Sequence, residues 1–461
     1  MKRSILLLGT AIVAACASSP ASTARWAGQP VEFFTKTANA PDEWATRGVA
    51  GVAPSGDWLS QFNDPLMVGL VNEALTNSPT LESRAALVRA SEASTRVARA
   101  QRRPSVSASA SAGVTSTENT FGGSSDRNTD GIYGVGLDAS WELDLWNRLG
   151  SGIGAAEADY AASQADFAAA ELSIAAQTAI AWINLNEALA QERVAVLTFE
   201  ARDRVRTLTE RRFQRGLADA LDVRTARSTV AQAEASIAAR RQITGETARR
   251  LETLVGRYPS AELDAPAEIP TLDVIVPEGN PALLLSRRPD IAGAEARIAA
   301  AGLRAEQARL AMLPSLRLTA SASTSTTEFS DAFDPEKIAA NLIASLVQPL
   351  FTGGSLDAQR DAAVAQAEAA VANYAAAALD AWAEELAERQ YTSGTVTIFN
   401  LIDSQTRRLT AESQLVSARA SRASNRVAYH LALGGGLPTG TSGVQYGTNN
   451  IDTDAAAGGR S

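Results

Sequence analysis

Few residues in this sequence have the types and spacing that chemistry requires. The 461 residues contain one histidine, His430, and one cysteine, Cys16, which argues against histidine and cysteine metal clusters, cysteine–histidine nucleophiles and disulfide frameworks. The glycines of segment 150–154 follow a predicted strand and precede a predicted helix. They lack the lysine of a phosphate-binding loop and the full dinucleotide-binding pattern, so they are predicted only to bend the chain. No carboxylate pair or nucleophile with a base is marked out, and we expect no enzymatic activity, metal or cofactor.

The single cysteine stands where a lipid would be attached. Basic residues at positions 2 and 3, an apolar run over positions 5–13 and two alanines precede Cys16. This order is typical of a secretory signal, and a cysteine directly after the small pair resembles the bacterial lipobox. Ala17 rather than aspartate follows, as in lipoproteins sent on to the outer membrane. We therefore predict cleavage before Cys16 and its lipidation, which anchors the chain in membrane lipid; a signal cleaved elsewhere is the alternative.

Composition and charge narrow the class further. The chain is 45% hydrophobic but only 5% aromatic, and alanine dominates the apolar residues, which favours long, closely packed helices over large globular cores. Removing residues 1–15 deletes two basic and no acidic side chains, so the net charge changes from −9 to about −11. So acidic a surface argues against nucleic acid as a partner.

Two halves of the chain repeat in tandem. Each half begins a helix at a proline and ends it before the next proline, as expected for helix boundaries. The matching residues lie 210 positions apart: Pro79 and Pro289, Arg99 and Arg309, Pro104 and Pro314, Ser105 and Ser315.

After the second proline of each half, the hydrophobic period changes to two. The first half predicts a β-hairpin over about 105–145, with a polar loop from Thr115 to Gly131, and the second predicts one over about 315–350. Strands of about ten residues, apolar on one face and polar on the other, are typical of transmembrane β-hairpins. A soluble half-buried hairpin alternates likewise, but the lipoprotein signal and the four strands favour the membrane. Four strands cannot close a barrel alone, so several chains must pool them.

A long alanine-rich helix follows each hairpin. The first is predicted from about 155 to 212 and a partner helix continues to Leu254, with the turn at Gly216. Glycine past a helix end is the usual left-handed cap, and Gly394 occupies the matching place in the second half. Such lengths indicate coiled-coil-like packing.

Five motifs together resemble the TolC-like outer-membrane factor family, specifically its lipoprotein branch serving resistance-nodulation-division pumps. They lie at 58–65, 141–146, 286–297, 313–316 and 350–354. The resemblance implies a mainly α fold with a transmembrane β-barrel portion: a homotrimer whose twelve-stranded barrel, four strands per chain, continues into a periplasmic α-helical tunnel. The expected organisation is a signal peptide at 1–15, a lipid-anchored segment at 16–57, repeats at 58–256 and 282–433, a proline-rich connector at 257–281 and a flexible tail at 434–461.

The same resemblance implies function and site residues. The protein would be the outer-membrane channel of a tripartite pump, passively conducting small toxic molecules or drugs from a periplasmic adaptor and an inner-membrane pump. The helical tips would contact the adaptor, and acidic residues just inside them would gate the tunnel. The candidates for adaptor contact are Phe213, Gly216, Leu217, Tyr391, Gly394 and Thr395, and those for the gate are Asp222, Asn400 and Asp403.

Alternatives stay open at several points. A type I protein secretion duct would use the same architecture, and a non-channel structural or adhesive periplasmic lipoprotein would use the helices as a spacer. Asp222 and Asp403 are equally compatible with carboxylates that stabilise a helix N-terminus. The motif alignment also leaves the second helical hairpin 22 residues shorter than the first, which predicts tips at unequal depths.

Overall fold

The predicted tandem repeat is visible in the order of the structural elements. The computed structural model describes residues 58–121, 124–263, 265–269, 288–388 and 401–432. Helix α1 spans Pro65–Asn77 and α2 spans Pro79–Ala100; strands β1 (Ser105–Phe121) and β2 (Ser124–Leu143) follow, then α3 (Arg148–Gln214) and α4 (Ala220–Leu254). The second half gives α5 (Pro289–Leu310), β3 (Ser315–Ser323), β4 (Ala339–Val347), α6 (Ser355–Glu388) and α7 (Leu401–Ala432). Helices α2 and α5 both have 22 residues and begin 210 positions apart, as predicted.

The chain divides into two units, and the first contains the sheet. It includes residues 85–166 and 290–379, and its four strands are antiparallel in the order β1-β2-β3-β4. The predicted strand starts at Ser105 and Ser315 are confirmed. The two halves are joined side by side, because β2 pairs with β3 over Gly136–Leu143.

The predicted polar loop from Thr115 to Gly131 is wrong. Strands β1 and β2 continue through it, pairing Thr115 with Asp130 and finally Phe121 with Ser124, so they contain 17 and 20 residues instead of about ten. Backbone hydrogen bonding across an antiparallel ribbon does not require apolar side chains, so a polar sequence can continue the hairpin. Strands β3 and β4 have nine residues each, close to expectation.

The second unit includes residues 41–84, 167–289 and 380–461, and its core forms around the first family motif. Trp58, Leu59 and Phe62 are buried against helices α1, α3, α4 and α7. Asp64 accepts hydrogen bonds from the backbone N–H of Leu66 and Met67, both at 3.0 Å, and thereby caps α1. Its other oxygen accepts the indole N–H of Trp182 at 2.7 Å, so one carboxylate fixes both the start of α1 and its packing on α3.

The long helices agree with the sequence prediction. Helix α3 has 67 residues, about 100 Å at the standard rise, and begins seven residues before the predicted start. Helix α4 ends at Leu254, as predicted. Among the described residues, no helix combines the length and the apolar character needed to cross a membrane.

The first part of the predicted connector is irregular and is held by Glu252. The buried Glu252 carboxylate accepts the backbone N–H groups of Ala261 at 2.7 Å and Glu262 at 2.9 Å. Burial raises the pKa of Glu252, but these hydrogen bonds, together with that from the N–H of Leu263, outweigh burial and leave the pKa below its ordinary value. The carboxylate therefore stays ionised and fixes the chain after α4.

Candidate functional site

One face of the sheet is polar across all four strands. Residues paired in an antiparallel sheet project to the same side, and the register aligns Ser107, Asp138, Ser321 and Asn341 in one row. Adjacent polar rows join Ser105, Ser140 and Thr319, and then Glu142, Arg317 and Ser345. Ile343 is the large apolar exception, paired with Thr319. Serine, threonine and asparagine can hydrogen-bond water or a passing molecule without strong preference for its charge.

The opposite face is apolar over the same length. Its rows join Val106, Ala139, Ala320 and Leu342, and next to them Trp141, Leu318 and Ala344. Val106 is 72% exposed and Leu342 79% exposed in the single chain. This confirms the predicted alternation, and an exposed apolar face of this kind indicates contact with lipid or another chain.

The two outer strands present open edges. Within the described residues, β1 and β4 each pair on one side only. Their free N–H and C=O groups form a template for further strand pairing. The sheet is thus an arc whose polar and apolar faces are complete but whose edges need partners.

Side chains at the ends of the strands connect the sheet to the helices. The Trp141 indole donates to the carbonyl oxygen of Arg102 at 3.0 Å, and the Trp146 indole donates to that of Pro314 at 2.7 Å. Asp144 caps α3 by accepting the N–H groups of Leu149 and Gly150.

The glycines of segment 150–154 do not bend the chain, because they lie within the continuous helix α3. A Cβ at Gly154 would lie 3.1 Å from the Leu303 side chain, and one at Gly152 would lie 2.7 Å from Gln307. Their role is to let α5 pack closely against α3.

The predicted tip at Gly216 is confirmed as a left-handed helix cap. Gly216 has φ +72°, its N–H donates to the Phe213 carbonyl at 2.9 Å, and the N–H of Leu217 donates to the Arg212 carbonyl at 2.8 Å. These two bonds are the Schellman pattern. The side chains of Phe213 and Leu217 are 46% and 63% exposed, so they are available to a partner.

Asp222 is engaged in a capping box at the start of α4. Its carboxylate accepts the Asp219 N–H at 3.2 Å, while Asp219 accepts the Asp222 N–H at 2.8 Å. This is the helix-terminus role expected as the alternative to a gate. Asp219 was not among the residues predicted from the sequence, although an acidic residue three positions before another at a helix start is a capping signal.

The remaining candidate residues are described only in part. Asp403 lies at the third position of α7, as Asp222 does in α4. Cys16, Tyr391, Gly394, Thr395 and Asn400 lie outside the described residues. The unequal depth of the two tips therefore stays a prediction.

The single histidine is a core residue. His430 stacks on Trp58 with ring centroids 5.7 Å apart, and its Nε2 lies 3.1 Å from Gln61 Oε1. Burial and the nearby charge of Arg426 lower the pKa of His430 to about 4. In the described part of the chain, no three histidine, cysteine, aspartate or glutamate side chains are grouped as metal ligands.

The sequence matches the family model described as outer membrane efflux protein over residues 70–257 and 280–384. The pyoverdine export outer membrane protein OpmQ of Pseudomonas aeruginosa is 29% identical, with 96% of this chain and 99% of that protein aligned. The toluene efflux pump outer membrane protein TtgI of Pseudomonas putida is 28% identical, covering 81% of this chain and 86% of that protein.

Solved structures give the same result. The outer-membrane channel OprN has a TM-score of 0.72 and 27% identity, with 86% of this chain and 99% of that chain covered. The outer membrane protein VceC of Vibrio cholerae has a TM-score of 0.73, with 24% identity and coverage of 83% and 100%. These likenesses confirm the predicted fold class.

Proposed function

The chain belongs to the outer membrane efflux protein family and is the outer-membrane channel of an efflux system, and we propose that three copies form one passive duct for small organic molecules. The observation that carries this proposal is the register of the sheet. It aligns polar residues on one face and apolar residues on the other, across both halves of the chain.

Strand dimensions support a membrane position for this sheet. Nine residues in β3 and β4 span about 30 Å along the strand, and a tilt of about 40° reduces that to roughly the 25 Å of the apolar band of outer-membrane barrels. The polar continuation of β1 and β2 beyond Thr115 would then stand clear of the lipid. Trp146, just beyond the end of β2, suits the membrane–water interface, where indole rings are favoured.

Closure of the sheet is the argument for several copies. Open strand edges are not tolerated in lipid, because unpaired backbone groups have no water to bind. Pairing β4 of one copy with β1 of the next satisfies both edges, and three copies give the twelve strands that the family resemblance implies.

Partners of the duct follow from its helical tip. We assign Phe213, Gly216 and Leu217 to contact with a periplasmic adaptor, together with Tyr391, Gly394 and Thr395 of the second tip. An inner-membrane pump supplies energy, since passage along a lined duct needs no catalysis by this chain. We place the gate at Asp222, Asn400 and Asp403, and Asp222 also caps α4. Three copies of Asp403 close to one axis would repel one another and attract cations.

Small organic molecules are the cargo that the lining fits best. Its side chains are short and mostly uncharged, so they discriminate weakly among molecules that fit. Relatives are described by export of pyoverdine, toluene and antibiotics, which differ widely in polarity.

Two measurements test the proposal. Native mass spectrometry of the detergent-extracted protein should give three chains per particle, and deletion of the gene should increase sensitivity to toxic small molecules. A monomer in detergent contradicts the shared duct. If the deletion leaves sensitivity to toxic molecules unchanged and instead abolishes the secretion of a protein, the channel serves type I secretion and not efflux.

A further inference from the structure

Positive charge is concentrated at the tip formed by α3 and α4. Residues 202–227 contain eight arginines and four acidic residues, whereas the whole chain has a net charge of −9. The helical tip is therefore opposite in sign to the molecule that carries it.

Acidic residues in this stretch are already engaged. Asp203 pairs with Arg206, and Glu210 pairs with both Arg206 and Arg227. Asp219 and Asp222 use their carboxylates in the capping box. The capping hydrogen bonds do not neutralise Asp219 and Asp222, but neither carboxylate forms an ion pair with an arginine in the described part of the chain.

Four arginines consequently have no ion pair within the described part of the chain: Arg211, Arg212, Arg215 and Arg224. All four are exposed. The exposed side chains of Phe213 and Leu217 lie among them in sequence. We call these six residues the basic tip.

Stabilisation of the helix ends does not explain the positions of all four unpaired arginines. Cations are favoured at a helix C-terminus, which covers Arg211 and Arg212 in the last turn of α3. Arg224 is the fifth residue of α4, near the end of the dipole that disfavours cations, and Arg215 follows the end of α3. Arginine next to exposed aromatic and aliphatic side chains is the composition of protein interfaces.

We propose that the basic tip docks a protein partner whose contacting segment presents aspartate or glutamate side chains around an apolar centre. This rests on the proposed function, in which the tip meets an adaptor, and adds the charge of that adaptor's surface. Guanidinium groups bind carboxylates in paired, directional hydrogen bonds, so the four arginines fix the orientation of the partner while Phe213 and Leu217 fill its centre. In a trimer, twelve guanidinium groups would surround the tunnel mouth.

Charge reversal at the tip tests the proposal in the native host. The tip variant is Arg211→Glu with Arg212→Glu. Its control is Arg249→Glu with Arg250→Glu, another adjacent pair of exposed arginines near a helix C-terminus, about 37 Å along α4 from Arg224. We expect the tip variant to lower resistance to an efflux substrate by about tenfold or more, because both introduced glutamates then repel the acidic partner. The control should retain full resistance.

Assembly and partner chemistry are measured separately. Trimer yield and planar-bilayer conductance should be equal in both variants, which excludes misfolding. Suppressor mutations selected in the tip variant should replace acidic residues of a second protein with neutral or basic ones. Equal resistance in the tip variant and the control, or suppressors confined to non-acidic positions, overturns the proposal.

Two further outcomes would also count against the proposal. One gives the basic tip a different role, and the other contradicts the efflux function on which the proposal rests. Binding of the purified channel to phosphatidylglycerol vesicles that the tip variant loses, without suppressors in any protein, would assign the basic tip to a membrane surface and overturn a protein partner. If deletion of the gene leaves resistance unchanged, the proposed efflux function itself fails.

Discussion

An arginine on the apolar face of the sheet should disrupt the protein far more than one placed a single residue away. Leu318 is the fourth of nine residues in β3 and pairs with Trp141 and Ala344 on the apolar face. Its neighbour Thr319 pairs with Ser140 on the polar face. Leu318→Arg and Thr319→Arg therefore introduce the same side chain at nearly the same depth, but towards opposite surroundings.

The expected cost follows from that placement. A lipid-facing arginine near the bilayer midplane costs about 2 to 4 kcal/mol per chain, and one facing water costs little. Three copies in one barrel raise the first figure to about 6 to 12 kcal/mol per trimer, comparable with the whole stability of a domain.

The difference between the two variants can be measured in isolated outer membranes. The two quantities to compare are the amount of assembled trimer and the temperature at which the trimer dissociates. We expect Leu318→Arg to lose most of the trimer and Thr319→Arg to resemble the unchanged protein. Similar losses in both variants would refute the assignment of the two faces, and greater damage from Thr319→Arg would reverse it.

Three further predictions concern stability, each measured by thermal unfolding followed by circular dichroism. Glu252→Gln replaces a charged acceptor of backbone N–H groups, including that of Ala261, and should cost about 2 kcal/mol. Gly216→Ala should cost about 1 kcal/mol because its φ of +72° is left-handed, whereas Gly69→Ala inside α1 should be neutral or stabilising; equal effects would contradict the cap. His430 has a folded pKa of about 4 against an ordinary value of 6.5, so its stabilising contribution is complete above about pH 6.5 and falls as the pH drops towards 4. His430→Gln should flatten the loss of melting temperature between pH 7 and pH 5, and an unchanged slope would assign that loss to other groups.

Local signals predicted the ends of the helices and the starts of the strands. Pro79 and Pro289 begin helices because a proline in the first turn lacks only an N–H that would be unpaired there. Ser105 and Ser315 begin strands where the hydrophobic period changes to two. Gly216 ends α3 because glycine adopts a left-handed conformation without steric cost. Each signal depends on a few neighbouring residues.

Features that depend on distant residues were harder to predict. The extension of β1 and β2 through Thr115 and Asp130 depends on pairing between strands, and the polar side chains there resemble a loop. A better cue was Gly122-Gly123, since two glycines between strands favour a tight hairpin turn. The pairing of Trp141 with Leu318 joins the two halves and has no signal within either half.

Side-chain partners at the tip were predictable only in part. The cap formed by Asp219 and Asp222 has a spacing that could have been recognised. Identifying Arg211 and Arg224 as unpaired required the structure, because the pairs of Glu210 join residues of α3 and α4.

The central claim is that the polar face of the sheet lines a water-filled duct. Single-channel conductance of variants with cysteines on adjacent residues tests it most directly. Ser107 belongs to the polar face and Ala108, paired with Leu137, to the apolar face. Cys16 is the one native cysteine, so Ser107→Cys or Ala108→Cys adds a single new site for a charged, membrane-impermeant thiol reagent. We predict that the reagent reduces the conductance of the Ser107→Cys channel in a planar bilayer and leaves that of the Ala108→Cys channel unchanged. Absence of conductance in the unmodified protein, or equal reduction in both variants, would contradict a water-filled duct lined by the polar face.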